Sequence, residues 1–308
     1  MTERKTGSGD SAGTPDAERL LEEGDRLFEE SKYEEALSAY DLIRATDDGY
    51  LAAQNRKGNI LSILGRNDEA LEVFRDVLRI VPENPILYDA ALNNMANVLR
   101  RLERFEEALE LYDKALEAEP DNVMALNNRG NVLSDMGRDE EALLMYERAL
   151  EIEPGNSPVL VNKAYSLIGL RRNDEALIAL DGALRINPGN IMAMNNKANL
   201  LSELGRTKEA IKIYNQALDL NPAHVPTIVN CGIAYAASGE SERALAYFDQ
   251  ALILDPSNIL ALDNKGCVLV DLGRYREALV AYERARSLDP DDGAIRKNID
   301  DLMKRIRE

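Results

Sequence analysis

The sequence predicts an all-α solenoid of stacked helical hairpins, and three observations carry that reading. The first is a period of about 34 residues. Pro154, Pro188, Pro222, Pro256 and Pro290 recur at this spacing, and self-similarity of that length marks stacked supersecondary units. The second is internal constancy. Position 20 of the repeat is alanine in all eight copies: Ala36, Ala70, Ala108, Ala142, Ala176, Ala210, Ala244 and Ala278. Position 8 is always Gly or Ala, and position 24 is aromatic in seven copies, with Leu180 the exception. Small residues where two helices touch, with one ring beside them, are what close helix packing requires. The third is composition. Hydrophobic content is 45% with only 5% aromatic, which suits an aliphatic core continued from repeat to repeat.

Residues 1–16 (MTERKTGSGDSAGTPD) have no apolar periodicity and are expected to form a disordered tail. Eight repeats follow, at 17–50, 51–84, 89–122, 123–156, 157–190, 191–224, 225–258 and 259–292, with a one-turn insertion at 85–88. In the fourth, Val123, Leu126, Gly130 and Leu133 share a helical face, and Gly137 marks the turn. Short polar residues open the second helix in five repeats (Asn67, Asp139, Asn173, Thr207, Ser241) and are expected to cap it. Acids just inside, such as Glu140 and Glu141, suit the positive end of the helix dipole. Ala142, Tyr146 and Ala149 form the buried face, Pro154 ends the helix, and Asn156 stands where the next helix needs a cap. At the insertion, Asn84 can cap and Pro85 can take the first helical position, so that helix should begin one turn early. The fifth repeat is expected to be the weakest. It has Leu180 for a ring, and Gly182 inside a helix costs about 1 kcal/mol relative to alanine. Residues 293–308 place Ile295, Ile299, Leu302 and Ile306 on one stripe of an otherwise charged helix, the pattern of a terminal cap.

Charge narrows the function. With 37 basic and 55 acidic residues the net charge is −18, an unfavourable field for nucleic acid or an anionic membrane. No apolar run approaches the length of a membrane span, and the N-terminus lacks a signal-peptide hydrophobic segment. Two cysteines, Cys231 and Cys267, are too few for a disulfide framework and read as buried free thiols of a cytoplasmic protein. His224, the single histidine, excludes a histidine relay or multi-histidine metal site and reads as a plain surface residue. There is no phosphate-loop glycine pattern and no CxxC. No catalytic set, metal or cofactor is expected.

The landmarks at positions 8, 20 and 24, with alanine at position 27 in six copies and the recurrent proline at position 32, resemble the tetratricopeptide repeat (TPR) family, and the match covers eight successive copies. Asp48 stands where the family's proline is expected. Position 7, usually aliphatic, is Lys57, Arg129, Lys163, Lys197 and Lys265, whose stems are expected to cover apolar surface while the charges reach water. The resemblance implies a right-handed superhelix of eight hairpins and a C-terminal capping helix. It further implies a non-catalytic scaffold that holds an extended peptide or partner segment against positions 2, 5, 6, 9, 12 and 13, the concave surface.

On those positions asparagine dominates. Position 6 is Asn94, Asn128, Asn162, Asn196, Asn230 and Asn264, preceded by Arg56. Position 5 is Asn55, Asn93, Asn127 and Asn195, and position 9 is Asn59, Asn97, Asn131 and Asn199. Asparagine is a moderate helix former, so its recurrence mid-helix asks for a reason. An amide offers a peptide backbone both donor and acceptor, and offers neighbouring helices the same. A similar asparagine ladder lines the TPR superhelix of O-GlcNAc transferase, whose catalytic domain has no counterpart in this sequence. The adjacent Arg100 and Arg101 add cations at the polar end, while Val161, Tyr165, Ile168, Val229, Ile233, Cys267 and Val270 make the other end apolar. That apolar end fits hydrophobic anchors of a partner; alternatively it meets the C-terminal helix or a second copy of the chain. The family's chaperone-tail clamp is not expected: its frame falls on Asn55, Asn59, Asn94, Met124 and Asn128, without a cation. Two other classes remain, a subunit that positions substrates for a separate modifying enzyme and, disfavoured by charge, an RNA-binding repeat array.

Overall fold

The computed structural model describes residues 17–80 and 85–307, and among these seventeen α-helices follow one another without a strand. The expectations for the tail 1–16 and for Asn84 as a cap lie outside the described residues. The chain divides into two compact units, 1–152 and 153–308. The first holds α1 (Ala17–Glu29), α2 (Tyr33–Asp41), α3 (Tyr50–Ile63), α4 (Asn67–Ile80), α5 (Pro85–Arg101), α6 (Phe105–Ala118), α7 (Val123–Asp135) and α8 (Asp139–Ile152). The second holds α9 (Ser157–Gly169), α10 (Asn173–Ile186), α11 (Ile191–Glu203), α12 (Thr207–Leu220), α13 (Val225–Ala237), α14 (Ser241–Leu254), α15 (Ile259–Asp271), α16 (Tyr275–Leu288) and α17 (Gly293–Arg307). Within each unit, successive helices pair as hairpins and each odd-numbered helix also touches the next odd-numbered one.

The odd-numbered helices from α11 onward, like α7 and α9, begin on a side-chain cap. Asn122 Oδ1 accepts the Ala125 N–H at 3.0 Å, and Asn156, Asn190, Asn258 and Asp292 do the same three residues ahead. Each satisfies an N–H that the helix itself leaves free, worth about 1 kcal/mol. His224 is the cap of α13 and so corrects its reading as a plain surface residue. Its Nδ1 lies 2.7 Å from Thr227 Oγ1 and accepts the Thr227 N–H at a longer 3.4 Å.

The even-numbered helices start otherwise than expected. Asn67, Asp139, Asn173, Thr207 and Ser241 are the first residues inside the helix, and the residue at the cap makes no side-chain bond to the backbone where its geometry is defined, as at Arg172, Arg206 and Glu240. The lock is a charge fork instead. The arginine at position 16 donates from Nε and Nη2 to both oxygens of the glutamate at position 19, in Arg66–Glu69, Arg104–Glu107, Arg138–Glu141, Arg172–Glu175, Arg206–Glu209 and Arg274–Glu277. A bidentate guanidinium fixes geometry as well as charge, and the carboxylate faces the helix N-terminus. In α14 the same pair is inverted as Glu240 and Arg243, 2.6 Å apart.

Hairpin closure follows from position 8. A methyl built on Gly130 would lie 2.5 Å from Cε1 of Tyr146, and one on Gly266 2.4 Å from Tyr282, so the position-24 ring sits directly on glycine backbone. Tyr40, Phe74, Tyr146 and Phe248 are fully buried there, and so are Tyr112 and Tyr214, whose repeats have Ala96 and Ala198 at position 8. Position 7, rather than only shielding apolar surface, joins successive repeats. Lys57 pairs with Asp41 (2.5 Å), Arg129 with Asp113 (2.7 Å), Lys197 with Asp181 (2.5 Å) and Lys265 with Asp249 (2.5 Å). Each acid is position 25 of the preceding repeat. Where position 7 is Met95 or Cys231, the facing residue is Arg75 or Asn215, so base and acid come and go together. Tyr247 takes over at the second exception, donating its hydroxyl to Asn215 at 2.8 Å.

Helix α5 begins at Pro85 and runs 17 residues against the 13 of α7. The four extra residues add about 6 Å by helical rise. Tyr88, on that extra turn, is half-buried and packs on the core of the first unit. At the other end, α17 buries Ile295, Ile299 and Leu302 against the eighth repeat, while Ile306 is exposed.

Candidate functional site

Most of the recurrent asparagines hold the solenoid together. Position 6 of one repeat reaches back to the repeat before it. Asn94 Nδ2 donates to Asn55 Oδ1 at 3.0 Å, Asn128 to Asn93 at 2.7 Å, and Asn230 to Asn199 at 3.0 Å. Arg56 makes the equivalent link by pairing with Asp25 at 3.0 Å. Asn127 donates to Asn128 at 3.1 Å, and Asn162 is also engaged. Helix α17 continues the series, Asn298 donating to Asp263 at 2.8 Å, so it occupies the place of a ninth first helix. Asn264 turns instead to its own backbone, at Leu260 O.

Position 9 answers to the buried ring of its own repeat. Wherever position 24 is tyrosine, its hydroxyl donates to position 9: Tyr40 to Asp25 (2.7 Å), Tyr112 to Asn97 (3.0 Å), Tyr146 to Asn131 (2.9 Å) and Tyr214 to Asn199 (2.5 Å). Tyr282 meets Cys267 Sγ at 3.4 Å. A phenol sunk in the core needs that partner, and burial pushes Tyr112 and Tyr214 well above the ordinary phenol range. Where position 24 is Phe74, Leu180 or Phe248 no hydroxyl needs serving, and position 9 is Asn59, Tyr165 or Ile233.

Among the described residues, Asn59 and Asn196 therefore keep their amides uncommitted. Asn59 lies in a pocket of about 500 Å³ on the face shared by α1, α3 and α5. Phe28 and Ile63, both partly exposed, and Val98 supply its apolar walls; Asn94, Asn97, Ser62, Arg100 and Arg101 supply polar groups. Arg100 is ion-paired with Asp135, whose carboxylate holds the guanidinium above its ordinary range, and Arg101 donates to Ser62 Oγ. The cations are thus fixed in place before any ligand arrives. Phe28, Ser62 and Ile63 stand at positions 12 and 13, where the repeat register could have found them. Following asparagine alone passed them over.

In the second unit the face is plainer. Tyr165 is 65% exposed and Met192 64%, whereas Val161 and Val229, expected on the groove, are core. Cys231 is buried, which raises its thiol to about 11, and Cys267 is exposed, correcting the expectation of two buried thiols. Among the described residues no cluster of three His, Cys, Asp or Glu could hold a metal ion, and no helix is long and apolar enough to cross a membrane.

Four family models, each described as tetratricopeptide repeat, match the chain: at 21–85, at 88–153 and 191–257, at 133–200, and at 259–292. Among solved structures, a tetratricopeptide repeat protein from Parabacteroides merdae ATCC 43184 is 21% identical with a TM-score of 0.60, over 94% of this chain and 99% of its own. A chain of the APC/C hetero-tetramer Cut9-Hcn1 is 16% identical with a TM-score of 0.66, over 92% of this chain and 55% of its own. These two likenesses show the fold alone. YrrB, described as a TPR protein with an unusual peptide-binding site, is 29% identical over 63% of this chain and 98% of its own, with a TM-score of 0.47. No curated protein sequence matches.

Proposed function

Starting from the fact that this chain belongs to the tetratricopeptide repeat family, we propose that it is a non-catalytic scaffold gripping an extended segment of a protein partner. The site is the pocket on α1, α3 and α5. One observation carries the assignment: Asn59 is the position-9 asparagine without a tyrosine hydroxyl to accept, and it opens on that pocket. Its amide offers a peptide backbone one acceptor and two donors. Phe28 and Ile63 flank it and suit an apolar anchor side chain, while the prefixed Arg100 and Arg101 suit an acidic group or backbone carbonyl beside that anchor. Asn128 and Asn230, outside the pocket, act on binding through the shape they hold rather than by their own contacts.

The test is affinity capture on the full-length chain, compared with an Asn59→Ala/Ile63→Ser variant. Both residues are outside the core, so the variant should melt as the parent does. Partners retained by the parent and lost by the variant, and displaced by a peptide copied from them, are the expected result. Identical retention by both chains would move the site elsewhere.

A further inference from the structure

Position 26, on the second helix of the hairpin, does the same task in three repeats. Arg148 Nη2 donates to the carbonyl oxygen of Pro120 at 2.8 Å, Arg284 Nη2 to that of Pro256 at 2.6 Å, and Gln250 Nε2 to that of Pro222 at 3.3 Å. Each time a long stem crosses to the preceding repeat, and an N–H group closes on the carbonyl of the proline that ended its second helix. The fifth repeat has Gly182 there. A methyl built on Gly182 would meet only Leu160, at 3.5 and 3.9 Å, which is ordinary contact. The direction the missing side chain would take is open.

What it opens into is a pocket of about 610 Å³ in the second unit, between α9, α10 and the turn at Pro154. Leu160, Leu167 and Ala179 give it an apolar lining, and Ile178, 69% exposed, stands over it. The volume is in the range of sites that seat a ligand group. The sister repeats show which group fits. Arg284 is held in a repeat whose positions 7 and 19 are Lys265 and Glu277, and the fifth repeat carries Lys163 and Glu175 at the same positions, both lining the pocket. A guanidinium is therefore compatible with these two neighbours, while Arg185, a second cation on the pocket wall, stands where the eighth repeat has Ser287. Its stem covers aliphatic surface while its planar head reaches a carbonyl.

The geometry points to a socket for one arginine side chain of a protein partner, its stem over Leu160 and Leu167 and its guanidinium donating to Pro154 O. The partner completes a contact that other repeats make for themselves. The socket shares no residue with the pocket around Asn59, so either site can fail without the other.

The probe is the blocked peptide acetyl-Gly-Gly-Arg-Gly-Gly-amide, titrated into the ¹⁵N-labelled full-length chain up to about 10 mM, the range in which a single side chain is held. Progressive shifts of the Gly155, Ile178 and Gly182 amides are expected, with none from the norleucine counterpart. In Gly182→Arg, whose own side chain takes the socket as Arg284 does, the shifts should fall at least about fivefold and the melting temperature should rise. Gly182→Gln, after Gln250, serves the same purpose should the arginine variant fold poorly. Absent shifts with the arginine peptide, equal shifts with norleucine, or undiminished shifts in the filled variant would each overturn the proposal.

Discussion

Position 15 turns the chain between the two helices of every repeat with a positive φ, from 58° at Ser31 to 81° at Gly239. Five repeats use glycine there, and three do not: Ser31, Glu103 and Arg171 hold φ of 58°, 58° and 59°. A side chain in that region costs roughly 1–2 kcal/mol, partly returned by the smaller entropy of its unfolded chain. Glu103→Gly and Arg171→Gly should therefore each stabilise the protein by about 1 kcal/mol, read as a higher urea midpoint with an unchanged slope. A lower midpoint would mean those side chains earn their place by contacts that outweigh the strain. Asp89 carries a penalty of another kind. Burial, and then the charge of Glu119, raise its pKa, and its Oδ1 is buried without a protein partner. A carboxyl raised in the folded state is protonated more readily there than in the unfolded chain, so its penalty is largest at neutral pH and fades as pH falls through its folded value. Asp89→Asn should raise the melting temperature by about 1–2 °C at pH 7. The gain should shrink on acidification, and a gain constant with pH would rule out the carboxylate as its source. Neither feature was legible beforehand. Strain at Arg171 needs a dihedral, and the burial of Asp89 needs its neighbours.

Among the helices, α17 has a role that its sequence half disclosed. The stripe of Ile295, Ile299 and Leu302 is readable by period, but the bond from Asn298 to Asp263 makes it a first helix in register with the others. Asp300 then falls on position 8, where a second helix would need Gly or Ala to seat its ring, so the stack stops there. Removing 293–308 should uncover the eighth repeat, lower the melting temperature and cause association visible by light scattering. A truncated chain that stays monomeric and melts unchanged would contradict this role. Helix α10 is the counterpart at the weak end of the range. With Leu180 for a ring and an unfilled pocket beside Gly182, hydrogen exchange should be faster at 173–187 than at 139–153, since repeat stability is largely local. Equal rates would dismiss the weakness. Helix existence was legible throughout, because apolar spacing and the prolines agree. Helix starts were misread by one residue at Asn67 and its equivalents, since cap preference is a local signal. The arginine–glutamate fork that actually sets the start carries no such preference.

Taken whole, the chain carries 18 more negative than positive charges, and its junction ion pairs are exposed enough to be individually weak. Self-repulsion outweighs them, so added salt should raise the melting temperature despite screening every pair. A fall with salt would show that the pairs dominate. The period named the fold from the sequence because each repeat restates it. The proposed binding face was less legible, because asparagine at positions 5, 6 and 9 looks alike whether it serves a neighbour or a guest. The coupling of position 9 to the ring at position 24 separates the two, and it also sets where this surface can change. An altered side chain at Asn97, Asn131 or Asn199 orphans a buried phenol, so novelty there is bound to a loss in folding. Asn59, Tyr165 and Ile233 carry no such obligation. New side chains can be written at those three places, each within its own unit, without touching a buried hydroxyl.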